Sequence, residues 1–202
     1  MNNKYLAHFL AFITVAIWGS TFVFTKMLLL NGLSPAQIFT LRFIVAYVLL
    51  LAFELITRWQ SFRLFSTSWR DELTMVLLGI SGGSIYFLTE NAAMLYTTAT
   101  NTSLIVCSCP LFAMLLVALA YRQTERFTRM QVIGSLLACL GMAVVVLNGH
   151  FVLPLSPLGD MLAFGACLCW AVYSLLMKSV TNRYSTFFIT RKVFFYGLLN
   201  IL

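Results

Sequence analysis

The stretch Leu10 to Lys26, L-A-F-I-T-V-A-I-W-G-S-T-F-V-F-T-K, is answered later in the chain by Leu162 to Lys178, L-A-F-G-A-C-L-C-W-A-V-Y-S-L-L-M-K. Leu, Ala, Phe, Trp and Lys recur at the same spacing. The echo continues at a slightly shorter offset, with Arg42, Tyr47, Leu49 and Leu50 corresponding to Arg191, Tyr196, Leu198 and Leu199. An internal repeat of this length means that one structural unit is used twice. Up to Leu202 the pattern leads one to expect a full first copy and the opening part of a second.

Both copies lie in strongly apolar sequence. Apolar residues make up 61% of the chain and charged residues 9%, and the mean hydropathy is +0.92. A soluble domain carries roughly a quarter charged residues, so too little polar surface exists here to cover a water-soluble bundle. The apolar runs are each long enough to cross a hydrocarbon core, which takes about 20 residues. They fall at 6–30, 36–57, 72–95, 100–121, 128–147 and 158–180, and a seventh begins near 186. The pattern predicts an all-α polytopic membrane bundle. The first run is too long for a cleaved signal peptide, and no small-residue cleavage site follows it.

The net charge of +7 is distributed by loop. Lys4 precedes the first span. Arg58, Arg63 and Arg70 follow the second, Arg122, Arg126 and Arg129 the fourth, and Arg183 the sixth. The connections near 31–37, 97–101 and 148–156 carry no Lys or Arg. This alternation follows the positive-inside rule and predicts a cytoplasmic N-terminus. It also excludes a nucleic-acid surface, which would have no reason to skip every second loop. Five spans in the first copy make an odd number. The second copy therefore starts from the opposite side, and the two copies form an inverted repeat. Such repeats give related conformations open to either side, the usual basis of alternating access.

Local signals punctuate the spans. Ser34-Pro35-Ala36-Gln37 and Thr128-Arg129-Met130-Gln131 read as capping boxes, and Ser156-Pro157 as another helix start. Gly79 with Gly83, and Gly134 with Ala138, form small-xxx-small pairs that allow close helix approach. Gly82-Gly83 softens the third span, and Pro110 should kink the fourth. Cys107, Cys109, Cys139, Cys167 and Cys169 all lie in apolar segments. A Cys-x-Cys pair on a helix points its thiols to nearly opposite faces, so these read as small buried side chains. No cofactor or metal site is read from the sequence.

Trp18 to Phe43, W-G-S-T-F-V-F-T-K-x-x-L-x-x-G-L-S-P followed by L-R-F, resembles the opening of an EamA domain. Ala92 to Gly141 is similar to the rest of that domain, through Tyr96, Asn101, Leu104, Pro110, Glu125, Gln131, Gly134 and Gly141. The resemblance implies the drug/metabolite transporter superfamily, whose members have ten helices in two inverted five-helix repeats. It further implies export of small organic solutes such as amino acids, metabolites or drugs across the bacterial inner membrane. On this reading 6–147 is a first EamA repeat and 156–202 the start of a second, truncated one, and Leu202 stops in mid-helix. A non-transporting membrane interaction protein, or an inactive fragment with self-association replacing the missing half, is the alternative. An enzyme is disfavoured, since no H-E-x-x-H, G-x-S-x-G or paired intramembrane aspartates occur.

Ionisable residues within spans are the first functional candidates, because an unpaired charge there is costly. Gly79, Gly83, Tyr86 and Glu90 share one helix face. Glu90 and Lys26 lie at similar depth, and are expected either to pair or to share a substrate, with Glu90 a candidate carrier of a coupling proton. The plainer reading is a structural ion pair, or snorkelling of Lys26. Trp18 and Trp170, matched across the repeat near mid-membrane, are candidates to line a substrate cavity by stacking, with ordinary helix packing as the alternative. Tyr173, Tyr86, Asn91 and Asn101 complete the cavity candidates. Arg42 and Arg191 read as helix anchors, Glu54 as interfacial, and Asp160 as an anion favoured by its helix dipole.

Overall fold

The computed structural model describes residues 3–59, 62–121, 128–147 and 156–201. Arg122, Glu125, Arg126, His150 and the connection 148–155 lie outside the described residues, as does the side chain of Lys4. Among the described residues the structure is helical, without a strand. The helices are α1 (Asn3–Leu30), α2 (Pro35–Thr57), α3 (Trp69–Leu78), α4 (Tyr86–Tyr96), α5 (Ala99–Val106), α6 (Cys109–Ala120), α7 (Arg129–Leu147), α8 (Pro157–Val180) and α9 (Thr186–Leu199). A π-helical turn, Gly79–Ile85, joins α3 to α4. Among the described residues, five rods are long and apolar enough to cross a membrane: Tyr5–Leu30, Pro35–Thr57, Trp69–Tyr96, Ala99–Ala120 and Pro157–Val180. Helices α7, of 19 residues, and α9, of 14, stand where the fifth and seventh spans are expected.

The sequence punctuation acts as expected. Ser34 Oγ accepts from the Gln37 N–H at 3.2 Å while Gln37 Oε1 accepts from the Ser34 N–H at 2.8 Å. Thr128 and Gln131 repeat the box before α7, and Ser156 caps α8. The first helix stops at Gly32, whose φ of +91° is open to glycine at little cost. Pro110 stands in the first turn of α6, just after a break at Cys107 and Ser108 that divides the fourth span into α5 and α6. The third span is interrupted by the glycine-containing π turn, a wide coil that occurs mostly as isolated turns inside α-helices.

Helix α8 packs on α4, α5, α6 and the π turn, and α9 packs on α2, α3 and the same turn. Two cores result. One joins Phe22, Ile38, Tyr86, Met94, Val106 and Cys167. The other joins Met75, Leu78, Val180, Phe188, Ile189 and Val193. Glycines set the approach of the π turn: a side chain at Gly79 would meet Tyr196 Cβ at 2.6 Å, and one at Gly83 would meet Gly197 Cα at 3.3 Å. The expected pair on α7 is different, because a Cβ at Gly134 would meet nothing within 4 Å. A small-residue stripe permits close packing but needs a partner to use it, and Gly134 has none among the described residues. Helices α1 and α7 turn most of their apolar side chains outward, which suits contact with lipid.

The connections sort into two ends. Arg183 pairs with Asp71, and Arg191 reaches the carbonyl of Arg63, so the basic connections after α2 and α8 meet. Lys26 meets Met94 and Thr97, and Asn101 meets Asp160, so the charge-poor connections meet at the other end. Helix α1 therefore runs toward the charge-poor end and α8 away from it. The two echoing stretches are antiparallel in space.

Candidate transport site

Helix α4 begins where the π turn ends, and its first and fifth residues carry the polar centre of the bundle. Tyr86 and Glu90 stand one turn apart on one face. The Tyr86 hydroxyl donates to Glu90 Oε1 at 3.0 Å. Tyr86 is 2% exposed and Glu90 4%. A carboxylate this deep is costly unless it is hydrogen-bonded and compensated by charge. The tyrosine supplies the hydrogen bond, and Arg42 of α2 is the cation whose charge acts on Glu90. Arg42 is itself held from two sides. Its Nη1 donates to Thr25 Oγ1 at 3.4 Å, and its guanidinium lies 5.6 Å from the centre of the Phe87 ring.

Aromatic rings from the echoing stretch wall this centre. The Trp170 ring lies 5.0 Å from Tyr86 and 5.0 Å from Tyr173, all centre to centre. Tyr173 fits only because residue 82 is glycine: a Cβ there would stand 2.2 Å from the Tyr173 ring. Phe87 closes edge-on against Tyr86 at 4.8 Å. The cluster thus combines one carboxylate, one neighbouring guanidinium and several ring faces. Such a set can accept hydrogen bonds from an ammonium or amide, stack a planar group, and attract a cation to a ring face.

Of the residues expected to line one cavity, Tyr86, Glu90, Trp170 and Tyr173 come together. The others serve elsewhere. Lys26 does not pair with Glu90: its ammonium donates to the carbonyls of Met94 at 2.5 Å and Thr97 at 3.1 Å, closing the end of α4, where carbonyls lack helical partners. Asn91 is fully buried and donates to the Pro35 carbonyl at 3.3 Å, tying α4 to the start of α2. Asn101 donates to Thr97 Oγ1 at 3.0 Å and to Asp160 Oδ1 at 2.5 Å, linking α5 to the first turn of α8. Trp18 is 38% exposed and its ring meets, edge-on at 5.9 Å, that of Phe22 one turn along the same helix. The matched tryptophans therefore diverge, because α8 is surrounded by helices while α1 packs through one face.

Sequence reasoning missed the environment of Glu54. Near the end of α2, as expected, it is buried in the protein: it is 6% exposed, and its Oε2 lies 2.5 Å from Arg191 Nε. Arg42 ties α2 to α1 through Thr25, as a helix anchor would, and its charge also acts on Glu90. The signal available was the repeat itself, since Arg42 and Arg191 match and each stands near a buried glutamate. The cysteines are free, and Cys109 and Cys167 are buried. Cys167 Sγ donates to the Ile105 carbonyl at 3.2 Å.

Against known sequences, the EamA-like transporter family matches residues 5–147. The chain belongs to that family. Two uncharacterized transporters of Archaeoglobus fulgidus are 28% and 26% identical over 98% and 92% of the chain, covering 66% and 62% of their own length. The uncharacterized transporter YdfC of Bacillus subtilis is 24% identical over 84% of the chain and 53% of its own length. The chain thus spans between about half and two thirds of these relatives. No solved structure matches it. The family match covers α1 to α7, including Arg42, Tyr86 and Glu90. Trp170 and Tyr173 lie beyond it, in the echoing stretch.

Proposed function

We propose that this EamA-family chain acts in secondary transport, moving small organic solutes such as amino acids, metabolites or drugs outward across the inner membrane by alternating access. The two units would be 6–147 and 156–202, with the N-terminus cytoplasmic. One observation carries the reading: a buried carboxylate, Glu90, is bonded by Tyr86, whose ring in turn meets Trp170 and, through it, Tyr173 of the antiparallel echo of α1. A ligand held there contacts both copies at once, so its binding can be coupled to their relative movement. Glu90 accepts hydrogen bonds from the solute or carries the coupling proton, and the rings give the solute an apolar, stackable wall.

The test is retention. Cells producing the chain are preloaded with a panel of radiolabelled amino acids and aromatic dyes, and compared with cells producing Glu90→Gln at equal membrane level. Faster loss of at least one solute from the parent, abolished by the substitution, supports the proposal. Identical retention across the panel refutes it.

A further inference from the structure

Opposite the charge-poor end, α9 is fastened to the first copy by ion pairs. Arg191 meets Glu54 of α2, with 2.5 Å between Nε and Oε2. Lys192 meets Glu72 of α3, and the Tyr196 hydroxyl donates to the same Glu72 oxygen. Arg183, in the turn before α9, meets Asp71 at 2.6 Å. The Tyr184 hydroxyl donates to the other oxygen of Asp71 at 2.8 Å. Every one of these contacts joins the family-matched region to the echoing region. Arg191 and Lys192 are only 3% and 5% exposed, and their rings of contact include Phe62, Phe65 and Phe188. Directly inside this rim lies the dry core of Met75, Leu78, Val180, Phe188, Ile189 and Val193. Beyond it, α9 meets the π turn glycine against glycine, with Gly83 facing Gly197.

We propose that these three pairs form an ionic latch that seals the basic end of the bundle, and that transport requires α9 to part from α2 and α3 there. This rests on the transporter reading above. The physics favours two states. Buried pairs are held firmly while both partners are present, whereas one charge left alone in a dry site is strongly unfavourable. Two of the pairs, Arg191 with Glu54 and Lys192 with Glu72, are buried, while Arg183 is half exposed beside Asp71, so the two buried pairs carry the bias between the closed and the open end. The glycine contact brings α9 close to the π turn, where one buried side-chain bond, from Ser84 Oγ to the Gly197 carbonyl at 3.0 Å, ties the two, and the adjacent charges on α9 release α2 and α3 together.

Cysteine labelling tests this without any solute. In a full chain free of other cysteines, Met75→Cys places a thiol at a fully buried position just behind Glu72. A membrane-impermeant maleimide is applied to ruptured membranes, so that both faces are reached. With the latch intact, labelling is slow. Glu72→Gln or Glu54→Gln should raise the rate about tenfold, the factor given by about 1.4 kcal/mol of lost bias toward the closed state. The exchange Glu72→Lys with Lys192→Glu should return it toward the parent rate. In a second set of full chains that keeps Cys167 as its one cysteine, buried in the other core, labelling should stay slow throughout, which separates local opening from unfolding. Parental rates in both Gln variants would overturn the latch. So would equal acceleration at Cys167, or an exchange variant as fast as Glu72→Gln. The latch is judged on labelling and the transporter reading on solute loss, so either can fail alone.

Discussion

Replacing Gly79 by Ala tests the packing on which the whole arrangement depends. In an ordinary exposed helix this change would stabilise by about 0.5–1 kcal/mol. Here the new methyl would stand 2.6 Å from Tyr196 Cβ, 3.0 Å from the Gly197 nitrogen and 3.1 Å from the Tyr196 carbonyl carbon. Those atoms are backbone or fixed to it, so rotamer changes cannot relieve the contact and α9 must move away from the π turn. Overpacking of this kind costs about 1–3 kcal/mol, so a net loss of about 2 kcal/mol is expected. For a chain of this size that corresponds to a fall of roughly 4–8 °C in Tm. Gly134→Ala is the matched control, since nothing lies within 4 Å of the added methyl. Detergent-solubilised protein heated in steps and followed by fluorescence size-exclusion chromatography reads both. If Gly79→Ala melts with or above Gly134→Ala, the close approach of α9 to the π turn is wrong.

The remaining predictions concern polar ties. Lys26→Met removes two charge-assisted bonds to the carbonyls of Met94 and Thr97. It should lower stability by about 2 kcal/mol while leaving solute loss at permissive temperature intact, and loss of transport in well-folded protein would restore Lys26 to the substrate site. Asn101→Ala breaks the bond from α5 to Asp160. It should cost about 1.5–3 kcal/mol, seen as a lower melting temperature, and an unchanged melt would contradict that link.

Much of the scaffold is written locally. A capping box such as Ser34 with Gln37 needs partners three residues apart, and an apolar run reports its own length. The spans and their starts were therefore legible, as were the soft point at Gly82-Gly83 and the break before Pro110. The alternation of basic loops was legible too, and the structure gathers Arg63 and Arg183 at one end accordingly. What could not be read was which faces meet. Lys26 and Glu90 share a depth, but depth does not fix direction, and α1 turns its ammonium toward the end of α4. Glu54 finds Arg191, and Glu72 finds Lys192, only after α9 has been laid against α2 and α3. Gly134 shows the same limit, since a motif for close approach says nothing of which helix meets it, and none of the described residues comes within 4 Å of a Cβ there.

The central claim is that Glu90 takes part in moving solute. The direct measurement uses proteoliposomes holding the full chain and the pH-sensitive dye pyranine, with a solute identified by the retention screen added outside. The account predicts a solute-dependent change in internal pH for the parent chain. In Glu90→Gln reconstituted to the same level that change should be absent, although the solute still binds. A pH change of equal size and rate in Glu90→Gln would contradict it.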